Sequence, residues 1–139
     1  MGKHSRFGDR LRRLGPQIVR EVSAEMFVAG ETIQVDAQVS ITTGSASGTK
    51  TKKHRHVPSR PGEAPNNFTS HLRNNIETTQ PAPLHVSVVS HAEYSADLEF
   101  GTSKMAARPF MVPAAERNRR EIQRNLAGAV RRAVDRQRG

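Results

Sequence analysis

The chain contains six histidines, and these are the side chains best suited to acid–base or metal chemistry near neutral pH. Ser90 and His91 are adjacent, but no Gly-x-Ser-x-Gly pattern surrounds them to position a catalytic serine. His54 and His56 flank Arg55 without a nearby carboxylate, which makes a poor metal site. The histidines therefore predict neither a catalytic dyad nor a zinc centre.

The tightest set of carboxylates is Glu93, Asp97 and Glu99. This spacing is more typical of an exposed helical face than of a metal site. The chain has no cysteine, which excludes thiolate catalysis, and its glycines form neither a phosphate-binding loop nor a dinucleotide fingerprint. We therefore predict that the protein is not an enzyme and that it holds no cofactor and no metal.

The composition limits the hydrophobic core. The chain has 139 residues, of which 35% are hydrophobic and 4% aromatic, and its length fits a single domain, 1–139. The core must come from aliphatic residues and methionine. Either the fold is an open α+β structure or partner subunits complete it, and we favour the second.

The net charge of +9 is unevenly distributed along the chain. Residues 1–20 carry six Lys or Arg against one Asp, residues 44–62 carry five bases and no acid, and residues 116–139 carry eight Arg against three acids. Residues 21–43 carry four acids and no base. The basic blocks could contact phosphate or an acidic protein, or they could simply be solvated.

The N-terminal part has the period of an amphipathic helix, with apolar residues at steps of three or four from Phe7 to Ile33. Gly15 and Pro16 interrupt it and allow a kink or a fresh start. Residues 33–41 alternate as a strand would, yet Ile33, Ala37 and Ile41 also share one helical face. We favour a helix through about residue 41.

Further elements follow a long polar loop at about 43–67. Phe68, Leu72 and Ile76 indicate a short helix, and residues 84–90 alternate as a strand, with residues 76–79 as its hairpin partner across a turn at 80–83. One or two helical turns are expected within 92–100. A final arginine-rich helix is expected from Ala114 to about Arg136.

An irregular segment, residues 99–111, holds four large apolar side chains in a chain that has few aromatic residues. Gly101 and Pro109 make its backbone non-repetitive. Large apolar groups here predict either a loop buried in this chain's own core or a contact between subunits. The set comprises Phe100, Met105, Phe110 and Met111, accompanied by Lys104 and Arg108.

The order of these elements and two motifs resemble the head–tail connector family of tailed bacteriophages, the neck or tail-completion proteins that also occur in prophages and gene transfer agents. The more specific motif is Tyr94…Leu98-Glu99-Phe100-Gly101-Thr102…Met105-Ala106-Ala107-Arg108-Pro109-Phe110, then Pro113-Ala114. The looser one is Pro58…Pro61-Gly62-Glu63-Ala64-Pro65, then Leu72-Arg73…Ile76. Residues 67–71 depart from the Asp-Thr-Gly common in the family, and residues 49–56 are unusually basic.

The resemblance implies an α+β fold with a long N-terminal helix, a small antiparallel sheet and a C-terminal helix. It also implies a virion protein that forms a ring between head and tail, with six copies favoured because of the tail interface and a portal-matched twelve as the alternative. Its partners would be head-connector or portal-side proteins and tail-terminator or tail-tube proteins. Subunit contacts are expected at Phe100, Lys104, Met105, Arg108, Phe110 and Met111.

A DNA-binding accessory protein is the alternative function, supported by the charge and by the basic loop. Within that loop we expect Lys50, Lys52, Lys53 and Arg55 to contact either DNA in the channel or an acidic portal surface, or to remain solvated. No apolar run reaches the length of a membrane span, and the N-terminus lacks the apolar block of a signal peptide. We therefore expect synthesis in the host cytoplasm and no membrane partner.

Overall fold

The computed structural model of the chain describes residues 3–42, 61–65 and 71–138. The fold is α+β, with a long N-terminal helix, a two-stranded antiparallel sheet and a C-terminal helix, as predicted. Lys50, Lys52, Lys53 and Arg55 lie outside the described residues, as does most of the basic loop. The elements in chain order are α1 (Lys3–Thr42), α2 (His71–Asn74), β1 (Ile76–Ala82), β2 (His85–Ser90), α3 (Ser95–Phe100) and α4 (Met111–Arg138).

The helix α1 runs without interruption for 40 residues, which corresponds to a length of about 60 Å. It passes through Pro16, where the exposed position lets water reach the carbonyl that the proline leaves without a donor. The helical interpretation of residues 33–41 is confirmed. Ala37 and Ile41 are fully buried on one face, whereas Val35 on the opposite side is exposed.

The hairpin of β1 and β2 pairs Ile76 with Ser90 and Ala82 with His85, with an irregularity between Thr79 and Ala82. The turn therefore lies at Pro83 and Leu84, two residues later than the sequence predicted. Leu84 has a positive φ of 59°, and a proline followed by such a residue is typical of a type II turn. Pro83 supplies the fixed φ that this turn requires, so the strand continues to Ala82.

The short helix α2 is confirmed only as His71–Asn74, and residues 66–70 lie outside the described part. Ile76, which the pattern allowed either at the end of this helix or at the start of the hairpin strand, belongs to β1 and is buried. The chain leaves the helix at Asn75, whose carbonyl accepts a hydrogen bond from the amide of His91 at 2.8 Å. That bond closes the open end of the hairpin.

The helices α1 and α4 lie side by side and antiparallel. Their ion pairs run in opposite order along the two helices: Asp36 with Arg117, Glu25 with Arg132, and Glu21 with Arg136. Ala129 and Ala133 are buried on α4, and such small side chains allow a close approach of two helices. Among the described residues, the buried side chains that α4 contributes are therefore all alanine.

The hairpin packs along the middle of α1. Gly30 approaches it so closely that a Cβ built there would lie 2.7 Å from methyl carbons of both Thr78 and Val86. Gln34 accepts a hydrogen bond from the Thr78 hydroxyl at 2.7 Å, and Ser23 accepts one from the amide of Leu84 at 3.0 Å. These contacts fix the hairpin along α1 at both of its ends.

The hydrophobic core lies at one end of the molecule, where the C-terminal part of α1 meets the start of α4. Phe110 and Ile41 are its largest fully buried side chains. Partly buried Ile33, Val88, Leu98 and Met111 pack against it. The buried residues of this cluster are Ala37, Ile41, Leu72, Ile76, Ala92, Phe110 and Ala114.

Candidate interaction surface

The carboxylate of Glu99 caps the first turn of α4. Its Oε2 accepts hydrogen bonds from the amides of Phe110 at 2.9 Å and Met111 at 3.0 Å, and its Oε1 accepts one from Val112 at 2.7 Å. The first amides of a helix have no partner within it, and a negative charge there is favoured by the helix dipole. With this cap α4 begins at Met111, three residues before the predicted start.

Gly101 reverses the chain after α3 in a conformation that only glycine accepts easily. Its φ is +77°, and a Cβ would lie 2.9 Å from the amide nitrogen of Ala107 and 3.0 Å from the carbonyl oxygen of Met105. Both the dihedral angle and the close backbone contact exclude a larger residue without a shift. The glycine therefore folds residues 102–107 back onto the end of α3.

The segment that follows is held by its own hydrogen bonds. The amide of Thr102 donates to the carbonyl of Met105 at 2.8 Å, and the Thr102 hydroxyl accepts from the amides of Lys104 and Met105. The amide of Arg108 donates to the carbonyl of Leu98 at 2.6 Å. We call residues 99–111 the capped loop, because these bonds and the Glu99 cap define its conformation.

The two motifs of the family resemblance meet in space. The amide of Gly62, in the looser motif, donates a hydrogen bond of 2.8 Å to the carbonyl of Ala107 in the capped loop. Gly62 also has a positive φ of 85°, which suits a turn that brings its amide to this contact. This hydrogen bond joins the turn at Gly62 to the capped loop.

The structure divides the six predicted contact residues. Phe110 is only 2% exposed and belongs to this chain's own core, so it has no surface to offer a partner in this conformation. Met111 also packs against that core, and Met105 and Arg108 are half-buried. By contrast Phe100 is 78% exposed, and Lys104 is exposed beside the same turn.

A second apolar surface lies on α1 and was missed by the sequence analysis. Val28, Val35 and Val39 are each about half exposed, and their steps of seven and four residues place them on one side of the helix. The pattern could have revealed them as a second stripe on the side of the helix opposite Ile33, Ala37 and Ile41. We call these three valines the valine stripe.

The charges between α1 and α4 are largely matched to each other. The hydrogen bond from Arg117 to Asp36 lowers the pKa of this carboxyl, and that from Asn118 adds to the effect against the opposing influence of burial. The same Asp36 contact raises the pKa of Arg117. Arg117 donates to both carboxylate oxygens, at 2.8 and 3.1 Å, so the acidic block of the sequence serves an internal contact.

Among the described residues, those that suggested chemistry do not assemble, and His54 and His56 lie outside the described residues. His91 contacts Glu77 at 2.9 Å through Nε2, while the buried hydroxyl of Ser90 has no hydrogen-bond partner within the described part of the chain. Across residues 3–42, 61–65 and 71–138 no three His, Asp or Glu side chains gather as metal ligands would. In those same ranges no helix combines the length and the apolar character that crossing a membrane requires.

Comparison with known proteins adds no relative: no protein-family model, no curated protein and no solved structure matches the chain.

Proposed function

We propose that this chain is a structural subunit of a phage neck, which closes into a homo-oligomeric ring between the head connector and the tail. The proposal starts from the resemblance of the two motifs and from the α+β architecture that this resemblance implied. The mechanism is assembly: subunits associate around the path of the genome, and different faces bind head-side and tail-side proteins. Heterologous contacts with a closing rotation produce such rings.

The observation that carries the proposal is the exposure of Phe100 on a well-defined backbone. This side chain is 78% exposed although the chain has only five phenylalanines and no tryptophan. It stands between Glu99, which caps α4, and Gly101, which reverses the chain. An aromatic residue presented in this way is typical of an interface anchor, because little entropy is lost when the partner binds.

The valine stripe gives the subunit a second apolar face. Monomeric proteins do expose single apolar side chains, but here three half-exposed valines lie on one side of the same helix. A subunit in a ring needs two different contact faces, one for each neighbour. We infer that the capped loop and the valine stripe supply these two faces.

The test is the assembly state of Phe100→Ala. Truncating an aromatic anchor costs about 2 kcal/mol or more at an interface, which weakens each contact roughly 30-fold. The wild-type chain should sediment as a ring of six or twelve copies, and Phe100→Ala should dissociate at concentrations where the wild type stays assembled. Leu84→Ala, which truncates an exposed residue at the hairpin turn, should leave assembly unchanged.

A wild-type protein that remains monomeric when concentrated would contradict the ring, and an intact Phe100→Ala assembly would remove the capped loop from its interface. Phe110→Ala would not separate these outcomes. Phe110 is a core residue, and truncating a buried phenylalanine costs about 3–5 kcal/mol of folding free energy. Loss of assembly in that variant would therefore report unfolding.

A further inference from the structure

Three arginines form a stripe on the face of α4 that points away from the core. Arg120, Arg124 and Arg131 are exposed, and Gln123 and Ala127 lie between them in an open depression of the surface. Steps of four and seven residues keep the three guanidinium groups on one side of a helix. We call Arg120, Arg124 and Arg131 the arginine stripe.

The arginine stripe lacks the ion pairs that the other face of α4 makes. Arg117, Arg132 and Arg136 each contact a carboxylate of α1. No acidic side chain among the described residues comes within 4.0 Å of an arginine of the stripe, whereas Arg119 pairs with Glu116 on the same helix. The positive charge of the stripe is therefore available to a partner.

The spacing and the side-chain type suit a row of phosphates. With a rise of about 1.5 Å per residue, the steps along the helix axis are about 6 Å and about 10.5 Å. Every base of α4 is arginine and none is lysine. The planar guanidinium group binds phosphate oxygens through two parallel hydrogen bonds and is always charged, which a lysine ammonium does not match.

The composition of the stripe favours a nucleic acid over an acidic protein. Protein interfaces are held by aromatic or aliphatic anchors, and their cores are depleted of charge. Here the residues between the arginines are Gln123 and Ala127, so no large apolar group accompanies the charges. A phosphate backbone requires only cations and amide donors, and this is what the surface provides.

We propose that the arginine stripe of α4 binds the phosphate backbone of duplex nucleic acid without reading its sequence. Three phosphates are neutralised per subunit, and their counterions are released. The contact belongs to the single subunit and does not require a ring. It can therefore hold even where the proposed assembly fails.

The experiment measures binding of a fluorescently labelled duplex of about two helical turns by anisotropy, at a series of salt concentrations. Three phosphate contacts contribute about −2.7 to the slope of log K against log salt, or about 40-fold in affinity between 50 and 200 mM. The triple variant R120Q/R124Q/R131Q should lose this part of the slope. The triple Arg→Lys variant should retain it, because counterion release depends on charge.

The matched control removes the same charge elsewhere. Arg12, Arg13 and Arg20 are exposed on α1, and their triple Arg→Gln variant should change the slope less than the stripe variant does. Circular dichroism should show that all variants keep the wild-type melting temperature, since glutamine is nearly as good a helix former as arginine. The proposal is overturned if the wild type and the stripe variant have the same slope of log K against log salt. It is also overturned if the stripe variant and the control variant lose the same amount of that slope. If the protein binds polyglutamate through the arginine stripe but does not bind the duplex, the proposal is wrong and the partner is an acidic protein.

Discussion

Glu99 determines, at the scale of one residue, how the two phenylalanines of the capped loop are placed. Its carboxylate holds the amides of Phe110, Met111 and Val112, and so fixes the start of α4. Phe110 is thereby directed into the core, while Phe100, which follows Glu99 directly, remains outside. A single acidic side chain therefore links the core of the subunit to its proposed contact surface.

Replacing Glu99 by Gln should destabilise the protein by about 1–2 kcal/mol, the range for loss of a helix cap strengthened by charge. The amide has one acceptor oxygen instead of two and no negative charge to favour the helix dipole. Urea denaturation would measure the loss, and hydrogen exchange should accelerate at the amides of residues 110–112. Glu93→Gln, at an exposed acid of the same motif region, is the control and should change neither quantity.

The role of Glu99 could not be predicted from sequence because the amides that it caps lie 11 to 13 residues later. Sequence rules for helix caps describe side chains within one turn of the helix start. The pattern instead predicted an exposed acidic face, which was wrong for this residue. The irregular backbone at Gly101 was easier to predict, because Gly101 and Pro109 already indicated a non-repetitive segment.

At the scale of elements, one part of α1 has a sequence pattern that does not decide between two secondary structures. Residues 33–41 fit both a strand and a helix, and the outcome depends on which face has a partner. Ala37 and Ile41 lie against α4, α2 and the hairpin, so a four-residue step buries them. The same choice leaves Val35 and Val39 exposed, and this is why the valine stripe appears only in the folded molecule.

The contact of α1 with the hairpin predicts the effect of a methyl group at Gly30. Gly30→Ala should destabilise the protein by up to about 2 kcal/mol, because the gain in helix propensity of about 1 kcal/mol offsets only part of an overpacking penalty of about 1–3 kcal/mol. The methyl carbons of Thr78 and Val86 would lie 2.7 Å away, and neither of these β-branched side chains rotates freely. Urea unfolding of the purified protein measures the difference.

The control for Gly30 is Gly8→Ala in the same helix. A Cβ at Gly8 meets nothing within 4 Å, so only the propensity term remains and stability should rise by up to about 1 kcal/mol. Two Gly→Ala substitutions in one helix should therefore change the free energy of unfolding in opposite directions. A stabilised Gly30→Ala would mean that the hairpin does not approach α1 as closely as described.

At the scale of the whole molecule, charged residues of the acidic block and of the C-terminal basic block form ion pairs with each other. Along the sequence residues 21–43 form an acidic block and residues 116–139 a basic one, but in the fold Glu21, Glu25 and Asp36 pair with arginines of α4. The overall α+β order of elements was predictable because helical and strand periods are local. The matching of charges was not, because it depends on the antiparallel arrangement of two helices more than 60 residues apart.

This arrangement makes stability depend on pH through Asp36, whose folded pKa lies below the reference value of 3.8. A carboxyl with a lowered pKa binds protons more readily in the unfolded chain, so its contribution is complete above 3.8 and is lost as the pH falls through the folded value. The contribution is on the order of 1 kcal/mol, since the Arg117 side chain remains half exposed. Asp36→Asn should therefore be less stable than wild type at neutral pH.

The difference between Asp36→Asn and wild type should shrink as the pH falls below 3.8, because the protonated wild-type carboxyl also lacks its charge. Glu31→Gln is the matched control: Glu31 is an exposed acid of the same helix without an ion pair among the described residues. Its stability should follow that of the wild type across the same range of pH. A constant difference between Asp36→Asn and wild type would assign the loss to packing or to the Asn118 contact, whereas a shrinking one assigns it to the charge between α1 and α4.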